Sequence, residues 1–282
     1  MKLGAHESIA GGVGEAILRG QKATCDVIQI FNKSNHQWKA KKIVKDDLDL
    51  YFQNMEETGI KVVCSHASYL INLASPDRSL SDRSCTALKV EMERCELLHI
   101  PRLIIHPGSH LGKGIRKGIE RIAKNIDKLF ERIPDNNVTL TLETTAGQGN
   151  NIGSSFEEIA EIIDLSDSGD RLGACLDTCH VFAAGYPLEN QADYRKTMER
   201  FSTIIGFSKL KVVHLNDSKG DLGSRIDRHE HIGKGKIGKD AFANILNDKR
   251  FHNIPMVLET PKKADLKNDV ENLNVLRSMI GK

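Results

Sequence analysis

The sequence of 282 residues lacks any apolar run long enough to form a transmembrane helix. Such a helix needs about 20 predominantly apolar residues, so we expect no membrane partner. The N-terminus, MKLGAHESIAGGVG, also lacks the apolar core of an export signal. These two absences predict a cytoplasmic protein.

Cysteine is scattered, and the sequence contains no CxxC pair. The six residues are Cys25, Cys64, Cys85, Cys95, Cys175 and Cys179. This arrangement argues against both a disulfide framework and a cysteine-based zinc site, and predicts reduced thiols.

The chain also lacks an excess of charge of either sign. The formal net charge is +2, which by itself neither favours nor excludes nucleic acid as a partner. The content of 39% hydrophobic and 28% charged residues is typical of a globular protein. No linker or low-complexity tract interrupts the chain, so residues 1–282 are expected to form one domain, which we take to be monomeric.

Eight short β-rich apolar runs recur along the chain. They span residues 2–6, 26–31, 61–66, 102–107, 138–143, 171–177, 211–216 and 255–259. About eight helical patterns lie between them; in one, the apolar residues of 48–55 recur at i, i+3, i+4 and i+7, with Gly59 as a stop. This alternation predicts the α/β class and a (β/α)8 TIM barrel, with a doubly wound open sheet as the alternative.

Six consecutive predicted strands end on or near a histidine or a carboxylate. These residues are His66, His106, Glu143, Asp177, His214 and Glu259. A single residue of this kind commonly serves only to cap a strand, but the carboxyl ends of barrel strands share one rim, where active sites lie. Because carboxylates that converge repel one another unless cations are present, the set indicates a metal site.

Three further candidates lie just beyond these strand ends. His180 follows Asp177 by three residues, and Asp227 and His229 lie in the ionisable stretch DRHEHIG (227–233). Residues two apart in an extended chain point the same way, so Asp227 and His229 can bind one ion. Nine nitrogen and oxygen ligands suit Zn²⁺, and also Mn²⁺ or Fe²⁺. Nine are too many for one ion, which implies two or three metals and a bridging carboxylate.

Three segments of the chain are distinctive: HASYLINLAS (66–75), LDTCHVFAAGY (176–186) and HLNDSKGDLGSRIDRHEHIGKGKIG (214–238). They resemble signatures of the endonuclease IV family, the zinc-dependent apurinic/apyrimidinic (AP) endonucleases of base-excision repair. The resemblance covers nearly the whole chain and implies a trinuclear zinc centre. His66 and His106 would bind one Zn²⁺, which Glu143 would bridge to the second. Asp177, His214 and Glu259 would complete the second site, and His180, Asp227 and His229 would bind the third Zn²⁺.

The same resemblance implies a hydrolase of the deoxyribonuclease IV type. Its expected reaction is hydrolysis of the phosphodiester bond on the 5′ side of an abasic site in double-stranded DNA, leaving a 3′-hydroxyl and a 5′ sugar phosphate. A metal-bridging hydroxide would be the nucleophile, and Glu143, Asp177 and Glu259 would be catalytic. Removal of groups that block 3′ ends is also expected.

The expected DNA contacts lie outside the ligand set. The loop FNKSNHQWKAKK (31–42) contains Asn35 and His36, and some family members carry arginine where this chain has His36. Its alternative role is structural, with Trp38 anchoring the next helix. Tyr69 and Leu70 are candidates for a wedge between bases, or for a packed loop. Arg228 can face a phosphate.

Two other functions are compatible with parts of the pattern. Sugar isomerases or epimerases built on TIM barrels place residues like Glu143, Asp177, His214 and Glu259 on late strands. That function would leave the other five candidate ligands without a role. A DNA-binding barrel without catalytic activity is the second alternative, although unpaired buried carboxylates would then only cost stability. His6, at the end of the first strand, is expected to lie behind the ligands.

Overall fold

Eight parallel strands close into a barrel in the computed structural model, which describes residues 1–263 and 265–281. The barrel strands are β1 (Leu3–Glu7), β2 (Val27–Phe31), β3 (Lys61–His66), β4 (Arg102–Ile105), β5 (Thr139–Glu143), β6 (Leu172–Asp177), β7 (Leu210–His214) and β8 (Met256–Leu258). Each strand pairs with the next in sequence, and β8 pairs with β1 through Leu3 and Met256. The predicted TIM barrel is therefore confirmed, and the alternative of an open sheet is wrong.

Helices follow the strands around the outside of the barrel. Within the described part of the chain they are α1 (Val13–Lys22), α2 (Lys45–Thr58), α3 (Arg78–Leu97), α4 (Ile115–Arg132), α5 (Phe156–Leu165), α6 (Thr178–Ala184), α7 (Gln191–Ile204), α8 (Lys239–Asn247) and α9 (Lys267–Arg277). Gly59 ends α2 with a φ of 72°, a left-handed conformation that favours glycine.

The strands divide the core into two layers, because alternate residues of a strand point to opposite faces. On β2, Ile28 and Ile30 belong to the outer layer between strands and helices. The inner layer fills the barrel and consists of Val27, Val63, Cys64, Ile104, Cys175, Val212 and Val257. This apolar inner layer forms the floor beneath the carboxyl ends of the strands.

Two short antiparallel pairs shape the loops above the barrel. Gly108–Ser109 pairs with Asn151–Ile152, and Asp217–Ser218 pairs with His229–Glu230. The second pair folds the long loop after β7 back over the strand ends. Every cysteine is free and buried. None of the helices in the described residues is long and apolar enough to cross a membrane.

Candidate metal centre

Glu143, the last residue of β5, lies at the middle of the rim and is fully buried. Its Oε2 lies 3.0 Å from His66 Nε2 and 3.2 Å from His106 Nε2. Its Oε1 lies 2.9 Å from His214 Nδ1 and 3.4 Å from His180 Nδ1. The two oxygens of one carboxylate therefore face two different groups of imidazoles, an arrangement that suits a bridging ligand.

A second group of potential metal ligands lies around His214, at the end of β7. Glu259 Oε2 lies 3.3 Å and Asp177 Oδ2 lies 3.8 Å from His214 Nδ1. Asn216 joins these two residues, because its Nδ2 donates to Asp177 Oδ2 at 2.6 Å and its Oδ1 accepts from the Glu259 backbone N–H at 2.8 Å.

The third group consists of His180, Asp227 and His229. Asp227 Oδ1 lies 3.2 Å from His180 Nε2 and 3.7 Å from His229 Nε2. His180 lies in the first turn of α6, a helix whose N-terminus is capped by Asp177: the Asp177 Oδ1 accepts from the His180 backbone N–H at 2.8 Å. The helix therefore fixes His180 relative to Asp177, which belongs to the second group.

Hydrogen bonds to backbone carbonyls orient three of the histidines. His66 Nδ1 lies 2.8 Å from the Ala67 carbonyl, His180 Nδ1 lies 2.8 Å from the Thr144 carbonyl, and His229 Nδ1 lies 3.1 Å from the Glu259 carbonyl. Since a carbonyl can only accept, each Nδ1 donates and, in a neutral ring, each Nε2 presents a lone pair.

These lone pairs face carboxylates, and a cation bound between them would relieve the repulsion. The Nε2 atoms of His180 and His229 are buried and have no hydrogen-bond partner. Buried polar atoms without partners are uncommon in folded proteins. The donor set and the unpartnered nitrogens both fit divalent metal ions bound by imidazole and carboxylate.

Gln29 lies inside the barrel and orients His214. Its Oε1 lies 2.8 Å from His214 Nε2, which therefore donates and leaves His214 Nδ1 free for a metal. Its Nε2 donates to Glu259 Oε1 at 2.5 Å and lies 2.8 Å from His6 Nδ1. One amide therefore holds both a histidine and a carboxylate of the second group, with His6 behind them.

The electrostatics of the centre favour the charged forms of Glu143, Asp227 and His180. Burial acts to raise the pKa of Glu143, but the imidazoles of His214 and His106 outweigh it and hold the pKa well below the usual range. For Asp227, burial also raises the pKa, but His180 and His229 lower it to about 2. Burial lowers the pKa of His180, yet Asp177, Asp227 and Glu143 raise it well above the usual value. The carboxyl groups of Glu143 and Asp227 are therefore held in their ionised form by the positive charge of neighbouring imidazoles.

The structure brings all nine candidate ligands together. Among the described residues, five sets have ligand atoms within 4.8 Å of one another, and two of these include Cys175 or Cys179. The three sets made only of histidine and carboxylate are His66, His106 and Glu143; Glu143, Asp177, His214 and Glu259; and His180, Asp227 and His229. Each set can hold a metal ion, and Glu143 belongs to two of them. The assignment of individual ligands stays a prediction.

The residues expected to contact DNA surround this centre. The Tyr69 side chain is 62% exposed, and its ring centroid lies 5.6 Å from that of Phe31 and 5.7 Å from that of His66. His36 is exposed, and Asn35 and Leu70 are partly buried. Trp38 contacts α3 through Arg83, and its alternative role as an anchor of the next helix stays a prediction. The Arg83 guanidinium lies 4.2 Å from the Trp38 ring centroid.

Sequence reasoning overlooked three buried polar residues that organise the centre: Gln29, Asn216 and Asp217. Asp217 accepts four backbone N–H groups of the long loop, from Ser218, Gly233, Gly235 and Ile237, at 2.8–3.1 Å. Gln29 had a detectable signal, because it interrupts the apolar run DVIQIF. Arg228 is exposed, and its Nη1 donates to the Asp227 carbonyl at 2.6 Å.

Comparison with known proteins identifies the family. Residues 19–279 match the family model described as xylose isomerase-like TIM barrel. A protein of Geotalea daltonii named probable endonuclease 4 is 48% identical over 278 residues, covering 99% of this chain and 98% of the relative. The chain belongs to the endonuclease IV family. A relative in Citrifermentans bemidjiense with the same name is 45% identical and covers the same shares.

Solved structures agree with this membership. Endonuclease IV from Thermus thermophilus superimposes with a TM-score of 0.87 at 32% identity, covering 99% of this chain and 98% of that one. A D-tagatose 3-epimerase-like protein has a TM-score of 0.76 at 17% identity. At that identity the likeness shows the shared barrel and says nothing of activity.

Proposed function

We propose that the protein is a metal-dependent AP endonuclease of DNA repair. It hydrolyses the phosphodiester bond on the 5′ side of an abasic site in double-stranded DNA, leaving a 3′-hydroxyl and a 5′ sugar phosphate. Its cofactors are three divalent ions, with Zn²⁺ preferred by the ligand types. The same site removes blocking groups from 3′ ends, because that reaction also breaks a phosphate ester.

The central position of Glu143 carries the proposal. Its carboxylate faces His66 and His106 with one oxygen and His214 and His180 with the other. A sugar isomerase needs only ligands like Glu143, Asp177, His214 and Glu259. Here five more potential ligands converge on the same rim. Together with relatives named probable endonuclease 4, this favours phosphodiester hydrolysis over sugar isomerisation.

The residues of the chain prepare the site for an anionic substrate. Carbonyl partners keep the Nε2 atoms of His66, His180 and His229 turned towards the carboxylates, and Gln29 keeps His214 Nδ1 turned the same way. When bound, the metal ions supply an activated water near neutral pH and positive charge for the phosphate. The exposed ring of Tyr69 and the guanidinium of Arg228 adjoin the same cavity of about 400 Å³. Tyr69 would contact the bases, and Arg228 would contact a phosphate.

Metal analysis of the purified protein, combined with incision of an end-labelled duplex carrying one abasic site, tests the proposal. We expect about three metal ions per chain, a cut on the 5′ side, and a 3′ end that a polymerase extends. A matched duplex without the lesion should stay intact. A single bound ion in fully active protein, or a 3′ cut by β-elimination, would contradict the proposal, because elimination uses an amine and not a metal centre.

A further inference from the structure

A buried ion pair lies outside the metal centre, between the loop after β2 and helix α3. Lys33 Nζ lies 3.3 Å from Glu91 Oε1. Lys33 is 4% and Glu91 1% exposed. Lysine and glutamate are rarely buried to this extent unless they are paired.

Lys33 holds its own loop in a compact turn. Its Nζ donates to the Ser34 carbonyl at 3.1 Å and to the Gln37 carbonyl at 2.6 Å. Asn35 and His36 therefore lie inside a segment that is closed around the lysine ammonium.

Glu91 holds the neighbouring loop, which follows β3. Its Oε2 accepts from the Ser68 backbone N–H at 3.2 Å. The Ser68 hydroxyl then donates to the Asn35 carbonyl at 2.6 Å. Through Glu91, Lys33 and Ser68, the turn that carries Asn35 is joined to the residue that directly precedes Tyr69.

The free-energy cost of burying two charges indicates that this pair fixes the positions of the two loops more than it stabilises the fold. Removing two charges from water costs several kcal/mol each, and apolar or neutral replacements of buried ion pairs are often as stable or more stable. A buried pair with partners in two loops nevertheless fixes those loops in one arrangement. Loops that are ordered before binding avoid part of the entropy cost of binding.

We infer that Lys33 and Glu91 are positioning residues that lock the loops 32–38 and 67–71 together into a preformed DNA-binding surface. The inference rests on the proposed function, because it takes a DNA duplex as the ligand of that surface. Neither residue touches the reacting atoms, so their effect should fall on substrate affinity and not on the chemical step.

The double variant Lys33→Met/Glu91→Gln tests this inference. It leaves the net charge unchanged, and the introduced amide keeps an acceptor oxygen for the Ser68 N–H. We expect KM for an abasic duplex to rise about tenfold or more, with unchanged kcat, because loop ordering is then completed only on binding. Metal content and hydrolysis of a nitrophenyl phosphodiester, which does not need the loops, should be unchanged.

Trp38 provides a second readout that needs no DNA. It is the only tryptophan of the chain and lies at the end of the Lys33 loop. Acrylamide should quench its fluorescence more strongly in the free double variant than in the wild type. Lys39→Met is the matched control. It removes the exposed lysine that directly follows the loop 32–38 and should leave quenching unchanged.

The outcomes separate the inference from the proposed function. If the wild type does not cut the abasic duplex, the proposed function is wrong, whatever the quenching shows. If the wild type cuts and the double variant keeps both KM and quenching, the inference alone is overturned. An equal loss of kcat on both substrates with loss of metal would also overturn it. Should the double variant not fold, Ser68→Ala, which removes the link to Asn35, should raise KM in the same way; an unchanged KM would then overturn the inference.

Discussion

Two regions of the metal centre are held in different ways. The inner region lies at the strand ends and contains His66, Glu143 and His214, which are at most 3% exposed. The outer region consists of His180, Asp227 and His229, from the short helix α6 and the loop after β7. The Asp227 side chain is 39% exposed.

The difference shows which part of the fold fixes each ligand. Strand register fixes the backbone positions of the inner residues, since Glu143 pairs with Cys175 and Asp177 pairs with His214 in adjacent strands. Gln29 then orients the His214 ring. The outer residues need additional supports, namely the Asp217 carboxylate and the short pairing of His229 with Ser218. We therefore expect the inner region to be rigid and the outer region to be the more easily disturbed.

Glu143→Gln should have the largest effect. The amide keeps the size of the side chain but cannot bridge two cations as a carboxylate does. We expect kcat on abasic DNA to fall by about 100-fold or more, as for the loss of a main electrostatic stabiliser. Turnover and metal content should be measured together, with circular dichroism to confirm folding. Near-normal turnover in metal-loaded variant would show that this carboxylate is not essential.

His229→Ala and His66→Ala should separate the two regions. If the outer region assists departure of the 3′ oxygen, His229→Ala should lower kcat on DNA by about 100-fold and have much less effect on an activated nitrophenyl diester. His66→Ala should harm both substrates, because it disturbs the inner region. The comparison is of kcat for each variant on each substrate, at known metal content. The same loss on both substrates for His229→Ala would disprove a separate role for the outer region.

Gln29→Met should weaken the inner region without touching the outer one. Methionine fills a similar volume but cannot accept from His214 or donate to Glu259. We expect metal affinity to fall about 10- to 100-fold, as for other hydrogen-bond partners of metal ligands. Competition with a chelator of known affinity measures it, and Gln53→Met on the surface of α2 is the control. An unchanged affinity would mean that the barrel alone orients His214.

Asp217→Asn should weaken only the outer region. The amide replaces one acceptor oxygen by a donor, so part of the four N–H contacts to the long loop is lost. Each buried donor left without a partner costs about 1–3 kcal/mol. We expect faster hydrogen exchange across residues 219–236 and a lower occupancy of one metal ion, with the strands unchanged. Faster exchange in the strands as well would show that the loop and the barrel are not independent.

Glu7→Gln should have the smallest effect on the metal centre, because Glu7 is a buried acidic group without a histidine partner. Lys262 Nζ lies 3.3 Å from Glu7 Oε1 and 2.8 Å from Asp269 Oδ2. Burial raises the pKa of Glu7 to about 7, although Lys262 acts to lower it. A raised pKa in the folded state means that stability is full below the unfolded value near 4.5 and is lost as pH rises through about 7.

The variant should therefore gain stability over the wild type between pH 5 and pH 8, by up to about 3 kcal/mol. Urea unfolding at several pH values measures this difference, in which contributions of the metal centre common to both proteins cancel. Glu131→Gln, at an exposed position on α4, is the control. A difference that does not change with pH would show that Glu7 is not protonated in the folded protein.

The barrel was predictable because its strands are buried on both faces and therefore read as apolar runs. All eight were located to within two residues, from β1 (Leu3–Glu7) to β8 (Met256–Leu258). Helix α6 was not predicted, since its seven residues are too few to show the periodic pattern of apolar residues that indicates a helix. Its N-cap, Asp177, was interpreted as a metal ligand and catalytic residue, although the same carboxylate also starts the helix.

The candidate ligands were predictable from their position at strand ends, but their supports were not. Gln29 and Asn216 act through contacts with residues that are distant in sequence, Glu259 among them. Such contacts follow from strand register and loop path, which a single sequence does not display. The Lys33–Glu91 pair was hidden for the same reason, because each residue by itself is typical of an exposed surface.

The apolar layer inside the barrel has a consequence for how such a protein can change over evolutionary time. The apolar residues of the inner layer lie below the rim, and the candidate metal ligands lie on it. A substitution at a strand end can therefore alter reactivity while the scaffold still folds. Six strand ends act as positions on one frame, and the same barrel occurs in solved structures of 17% identity or less.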